Sequence, residues 1–221
     1  MPNIGIFDIV GPVMVGPSSS HTAGAVRLGL AGRNILGEAV RRAEIGLHGS
    51  FAATYWGHRT DLALLAGLLG LAMDDPLIPQ ARELAGEQGL EYRFYTADLG
   101  EVHPNTVLMR LWGERGQLEL LGSSIGGGRI EILAIDGFEI SVDGSYSVLI
   151  TQHQDTPGIV AEVTSRLARH KINIAFLKVS RKRRGSDALL VAETDDPLDE
   201  SLVADISRIP GVHAVRTLDK F

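Results

Sequence analysis

The sequence predicts an α+β or α/β chain in two parts, an N-terminal mixed α/β domain followed by a ferredoxin-like βαββαβ domain. Three observations predict it. Apolar residues recur at helical spacing in some stretches and alternate as in strands in others. The character of the chain changes at Asp143-Gly144. From Ser145 the order reads strand, helix, strand, strand, helix, strand, the split βαβ arrangement. With 221 residues each part can bury a modest core, and the domains are assigned to residues 1–143 and 145–221.

In order, Ile4, Ile6 and Ile9 lead to Gly11-Pro12, and a second break, Gly16-Pro17, precedes Ser18-Ser19-Ser20-His21-Thr22. A helix is expected from Gly24 to Arg41, because Leu28, Ala31, Ile35 and Ala39 share a face that Arg27, Arg33, Asn34 and Arg41 avoid. Glu44–Gly49 alternates as a strand. Gly57-His58-Arg59 reads as a loop with an exposed imidazole, after which Thr60 or Asp61 caps a helix Leu62–Met73 that Asp74-Asp75-Pro76 stops. A short helix over 79–89 precedes strands at Leu90–Phe94, Thr106–Trp112, Gln117–Leu121 and Ile130–Ile135, with Gly113-Glu114-Arg115-Gly116 as a hairpin. His103-Pro104-Asn105 reads as a turn before a strand. In the second domain strands are expected at Tyr146–Gln152, Ile172–Ser180, Ala188–Glu193 and Val212–Leu218, and helices at Ile159–His170 and Leu198–Ser207.

Composition excludes several classes. A net charge of −6 provides no general field for nucleic acid or anionic membrane, and the basic turn Arg181-Lys182-Arg183-Arg184 reads as a solvated hairpin tip. The apolar run Leu62–Met73 is too short to span a bilayer. Met-Pro-Asn-Ile-Gly lacks the regions of a signal peptide, so a cytoplasmic protein is expected. Cysteine is absent, which removes disulfides, thiol nucleophiles and thiolate ligands. No pair of histidines has H-x-x-x-H spacing.

Two clusters carry chemistry. Ser18, Ser19, Ser20 and Thr22 stand at a helix entrance, where hydroxyls cap and unpaired N–H groups suit a carboxylate or phosphate. Capping alone and anion binding are both open; His21 adds an imidazole able to move protons near neutral pH. Gly126-Gly127-Gly128 exposes bare N–H groups, either as an anion cradle or as a strained hairpin turn.

The second domain resembles the ACT family of small-ligand-sensing modules, on Asp155-Thr156-Pro157-Gly158-Ile159-Val160 and Lys171-Ile172-Asn173-Ile174. That resemblance implies pairing of ACT domains in a homodimer and an amino-acid effector facing Gln154, Asp155, Thr156, Pro157 and Gly158, with Asn173 nearby. Over nearly the whole chain, Phe7–Pro12, Gly16–Thr22, His48-Gly49-Ser50-Phe51, Gly57–Asp61, His103-Pro104-Asn105-Thr106 and Ser124–Gly128 resemble the β subunit of iron–sulfur-dependent bacterial L-serine dehydratase. The first domain is similar to the allosteric substrate-binding domain of some phosphoglycerate dehydrogenases. One departure is Tyr55-Trp56, bulkier than the small or basic residues that family places before Gly57.

The resemblance implies conversion of L-serine to pyruvate and ammonia, with a [4Fe–4S] cluster held by three cysteines. This chain cannot supply them, so a separate cluster-bearing α subunit is implied. His21 and His58 are then the candidate acid–base residues. Ser18, Ser19, Ser20, Thr22, Asn105, Thr106, Gly126, Gly127 and Gly128 are the candidate substrate-binding residues. A rival of another class stays open: a regulatory subunit that binds an anion and an amino acid without sharing in the chemistry.

Overall fold

The computed structural model describes residues 13–220; the expected run Ile4–Ile9 and the motif Phe7–Pro12 lie outside them. The chain divides into two compact units, Met1–Gly137 and Phe138–Phe221.

In the first unit a single π-type turn, Ser19–Ala23, leads without a break into α1 (Gly24–Leu36). β1 (Arg42–Leu47), α2 (Gly49–His58), α3 (Thr60–Leu69), a 3-10 turn (Ile78–Gln80) and α4 (Ala81–Glu87) follow. Then come β2 (Glu91–Thr96), β3 (Thr106–Trp112), β4 (Gln117–Gly126) and β5 (Arg129–Ile135). The strand order is β2-β1-β3-β4-β5. β1 and β2 run parallel, and the other neighbours are antiparallel.

Alternation decides which face is buried. Ala43, Ile45, Leu47, Val107, Met109, Leu111, Leu118 and Leu120 are buried, whereas Arg110 and Glu119 pair at 2.7 Å on the other face. α1 lies on the apolar face: a Cβ at Gly32 would press on Leu111 and Met109, and one at Gly122 on Leu28. α1 and α3 cross backbone to backbone at a glycine pair, since a Cβ at Gly67 would overlap the Val26 carbonyl and one at Gly29 the Leu64 carbonyl. This crossing fixes the start of α1, where the polar cluster sits.

Several boundaries differ from the sequence expectation. α1 stops at Leu36 rather than Arg41, because Gly37 takes φ +75° and its N–H closes on the Arg33 carbonyl. The Gly57-His58-Arg59 loop does not exist; α2 runs to His58, Arg59 alone turns left-handed at φ 56°, and α3 starts at Thr60. α3 has no side-chain cap at its start. Asp61 is buried there and pairs with Arg82, and the helix ends at Gly70, φ +92°, short of Asp74-Asp75-Pro76. β4 extends through Gly122-Ser123-Ser124 to Gly126. The Gly113–Gly116 hairpin is held by the Glu38 carboxylate, which accepts the N–H groups of Glu114 (3.1 Å), Arg115 (3.0 Å) and Gly116 (2.9 Å). Burial opposes ionisation of Glu38, but these donors outweigh it and hold its pKa below the usual carboxylate range.

The second unit opens with β6 (Phe138–Val142) and continues as β7 (Ser147–Gln154), α5 (Ile159–Arg169), β8 (Ile174–Arg181), β9 (Asp187–Thr194), α6 (Glu200–Ser207) and β10 (Val212–Leu218). The order β10-β7-β9-β8, antiparallel throughout, is the ferredoxin-like sheet. Leu149, Leu190 and Ala192 of the sheet pack with Ile159, Val163 and Leu167 of α5 and Leu202 and Ile206 of α6.

Candidate active site at the entrance of α1

Ser18 is extended (φ −144°, ψ 126°), and its Oγ accepts the backbone N–H of His21 at 3.1 Å. The capping role is therefore real, but the turn it starts is wider than an α-turn. Ala23 N–H reaches the Ser18 carbonyl at 3.4 Å and Gly24 N–H the Ser19 carbonyl. Such π-type turns are uncommon and gather at functional sites. The His21 ring, carried on this turn, meets Ser50, Phe51 and His58 of α2.

His21 is the hub. Its Nε2 lies 3.0 Å from Ser50 Oγ and its Nδ1 3.5 Å from Ser18 Oγ. The edge of Phe51 faces its ring at 5.4 Å, and the His58 ring stacks on it at 4.7 Å between centroids, tilted 30°. Burial, and then the proximity of His58, lower the His21 pKa below its ordinary 6.5, which favours the neutral imidazole at pH 7. His58 Nδ1 is buried with no hydrogen-bond partner among the described residues. Thr22, buried, donates from Oγ1 to the His58 carbonyl at 3.4 Å, tying the turn to the end of α2.

A second wall comes from the β2–β3 connection. Ser50 N–H donates to the Pro104 carbonyl at 2.8 Å and His48 N–H to that of Thr106 at 3.0 Å. Thr106 Oγ1 donates to the His103 carbonyl at 2.5 Å, so at the 2.6 Å contact with Ser123 it is Ser123 Oγ that donates. Asn105 is buried; its N–H goes to His103 Nδ1 at 3.1 Å, its carbonyl accepts Ser124 N–H at 2.9 Å, and its Oδ1 has no partner among the described residues. Ser124 Oγ closes the ring by donating to the Ser20 carbonyl at 2.8 Å. Ser18, Ser20, His21, Thr22, His58, Asn105 and Thr106 thus belong to one connected network. Ser19 joins it through its backbone carbonyl.

Gly126, Gly127 and Gly128 form the tip between β4 and β5 at φ 98°, 63° and 76°, a conformation that side chains rarely adopt. Gly128 is buried and its carbonyl accepts Arg27 Nη1 at 2.9 Å. Ser50, Phe51 and Ser124 stood in motifs that carry the family resemblance, but the sequence assigned them no part in this cluster. For Ser50 the signal was the glycine before it: Gly49 sits at φ +51°, and a Cβ there would meet the Pro104 carbonyl at 2.7 Å.

In the second unit Gly158 turns left-handed at φ 99° to start α5. Asp155 accepts from the Gly185 N–H at 2.9 Å and from Arg181 Nη1 at 2.9 Å, which together hold its carboxyl below the usual range. Thr156 N–H donates to the Gln154 carbonyl at 2.8 Å, and Gln154 N–H to that of Gly211 at 2.8 Å. Gln154, Thr156, Pro157 and Gly158 are exposed. Asn173 is engaged elsewhere, donating to Asp195 at 2.7 Å.

The described residues hold no group of three or more His, Asp or Glu side chains placed to bind a metal. No helix among them is long and apolar enough to cross a membrane.

The family described as "Serine dehydratase beta chain" matches residues 5–85, and the ACT domain family matches 146–211. A Bacillus subtilis protein named "Probable L-serine dehydratase, beta chain" is 42% identical over 207 residues, 94% of each chain. The "L-serine dehydratase, beta chain" of Peptoniphilus asaccharolyticus is 40% identical over 91% of this chain and 92% of its own. A Synechocystis "D-3-phosphoglycerate dehydrogenase" is 28% identical over 88% of this chain but only 35% of its own.

Proposed function

The chain belongs to the family of L-serine dehydratase β chains, and on that premise we propose that the α1-entrance site takes part in converting L-serine to pyruvate and ammonia, completed by a separate α subunit. The [4Fe–4S] cluster implied for the enzyme does not fit the residues of this chain. There is no cysteine, and the described histidines and carboxylates form no ligand group. The cluster is therefore assigned to the α subunit, and only the part played by this chain is derived.

Ser19 and Ser20 hold the substrate carboxylate at the positive end of α1, while Ser18 and Thr22, whose hydroxyls are engaged with His21 and with the His58 carbonyl, fix the turn that presents them. The neutral imidazole of His21, with His58 stacked on it, accepts the α-proton as the β-hydroxyl departs. The enamine so formed tautomerises and takes up water, giving pyruvate and ammonia. Asn105, Thr106 and the Gly126–Gly128 tip line the remaining wall. The stacked His21–His58 pair carries this reading, because a site that only senses an anion needs hydroxyls and N–H groups, not two adjoining imidazoles. The second unit is assigned the sensing role: an amino acid at Gln154, Asp155, Thr156, Pro157 and Gly158, with Asn173 at the margin, and pairing with a second copy. The pairing is supported by β8, an edge strand whose Phe176, Leu177 and Val179 are 59%, 43% and 44% exposed. The setting proposed is cytoplasmic.

The test is anaerobic. This chain is mixed with a reconstituted cluster-bearing α subunit and L-serine, and pyruvate is followed, with each chain alone as control. Pyruvate from the mixture alone is the expected result. Full turnover by the α subunit alone, merely modulated by this chain, overturns the catalytic reading and makes the chain regulatory.

A further inference from the structure

We propose that Ser50 is a positioning residue for His21: its hydroxyl accepts the Nε2–H of the ring and so fixes the tautomer in which Nδ1, on the Ser18 side, carries the lone pair. The proposal rests on the catalytic reading above and adds to it which atom of His21 receives the proton.

Three observations carry it. Ser50 Oγ is 3.0 Å from His21 Nε2, the shortest polar contact of that ring, and the Ser50 side chain has no other partner among the described residues. The Ser50 backbone is pinned on both sides: its N–H donates to Pro104 at 2.8 Å, and its carbonyl accepts Thr54 Oγ1 at 2.8 Å. Gly49 permits this close approach to Pro104, so the hydroxyl is presented from a fixed point. At the opposite nitrogen, Ser18 Oγ already accepts the His21 backbone N–H, which leaves its own hydrogen to point at Nδ1. A chain Ser18 O–H to Nδ1, then Nε2–H to Ser50, satisfies all four groups in one direction. Which ring nitrogen carries a proton is set by the partner of the other. The titratable group packed against His21 is His58, on α2; its other neighbours, Ser18, Ser50 and Phe51, carry no charge.

The variants that separate positioning from packing are Ser50→Ala and Ser50→Thr. Both keep the backbone bonds of Ser50, and only the second keeps a hydroxyl. The first measurement needs no α subunit: ¹⁵N-histidine spectra of the full-length chain across pH. Wild type and Ser50→Thr are expected to show His21 protonated at Nε2, and Ser50→Ala a mixture of both tautomers. An Nδ1–H ring in wild type, or a tautomer ratio unchanged by Ser50→Ala, overturns the proposal.

The second measurement is turnover in the two-chain mixture. Ser50→Ala is expected to lower kcat by about 10-fold with KM unchanged and to move the acid limb of the kcat profile to lower pH, while Ser50→Thr restores most of the rate. Equal losses in the two variants with no movement of the pH profile would mean a structural role and would overturn it. If the wild-type mixture makes no pyruvate, the functional reading fails, and the tautomer spectra still decide the role of Ser50.

Discussion

The entrance of α1 and the entrance of α5 are both polar turns leading into a helix, yet they are built in opposite ways. The first draws on five separate stretches of chain, residues 18–22, 48–51, 58, 103–106 and 123–124, and its working groups are buried or half-buried hydroxyls and imidazoles. The second is tied by charge and open to solvent: Asp155 pairs with Arg181 and Gly185, 26 and 30 positions away, and the rest of the turn is exposed. Fixing groups from distant segments suits a reaction that needs positional accuracy. An exposed turn with charge-paired side chains can change partners when a ligand arrives, which is what a sensor requires.

The comparison is broken most severely by removing what fixes the first turn. Gly67→Ala sets a Cβ against the Val26 backbone carbonyl, which no rotamer can relieve, so α3 must move off α1. We expect a loss of about 3 kcal/mol in the first unit, a fall in turnover with it, and in calorimetry an unshifted transition for the second unit. His21→Ala, which leaves the helix crossing intact, is expected to cut turnover about 100-fold without dissolving the α–β complex; unchanged turnover would remove His21 from the chemistry. Arg82→Ala leaves Asp61, 3% exposed at its side chain, without a partner. Because Arg82 is itself 46% exposed, the expected loss is about 2 kcal/mol, below that of a fully buried pair.

The second domain was legible almost element by element, because α5 carries a clean apolar stripe of Ile159, Val163 and Leu167 and every turn but that at residues 170–173 is marked by Gly, Pro or Asp. Val212–Leu218 was placed to the residue. The first domain was harder for a physical reason. α2 and α3 meet at Arg59, a non-glycine in left-handed conformation, and no local signal announces a break only one residue long. His58 therefore read as a solvated loop residue, whereas tertiary packing lays it on His21. The residues of the Ser18–Thr22 turn were visible from the hydroxyl cluster. Ser50 and Ser124 appeared only within motifs of the family resemblance and without a role, since their partners lie 29 and 104 positions away.

Acid sharpens the contrast less strongly. Burial lowers the pKa of His21 in the first unit and, with a smaller push from His213, that of His153 in the second. For a histidine whose folded pKa lies below 6.5, the unfolded chain takes the proton first. Stability is then complete above 6.5 and declines as pH falls from there to the folded pKa, by about 1.4 kcal/mol for each unit of displacement of a buried group. Thermal midpoints of both units are expected to fall over that range. His153→Gln should flatten the profile of the second unit alone, and activity should follow the first.

The smallest effect is expected where the second turn is closed. Arg181→Ala removes one of the two donors to Asp155, but the Gly185 N–H remains, and Arg181 is an exposed side chain whose ion pair exchanges readily with water and salt. The thermal midpoint and the basal turnover should both match wild type, while the concentration of amino acid needed to alter turnover shifts. The same mild change at the α1 entrance, a single hydroxyl lost at Ser50, is expected to cost about 10-fold. If Arg181→Ala instead slowed the enzyme as much as Ser50→Ala does, the second turn would share in the chemistry and the division between a fixed site and a yielding one would fail.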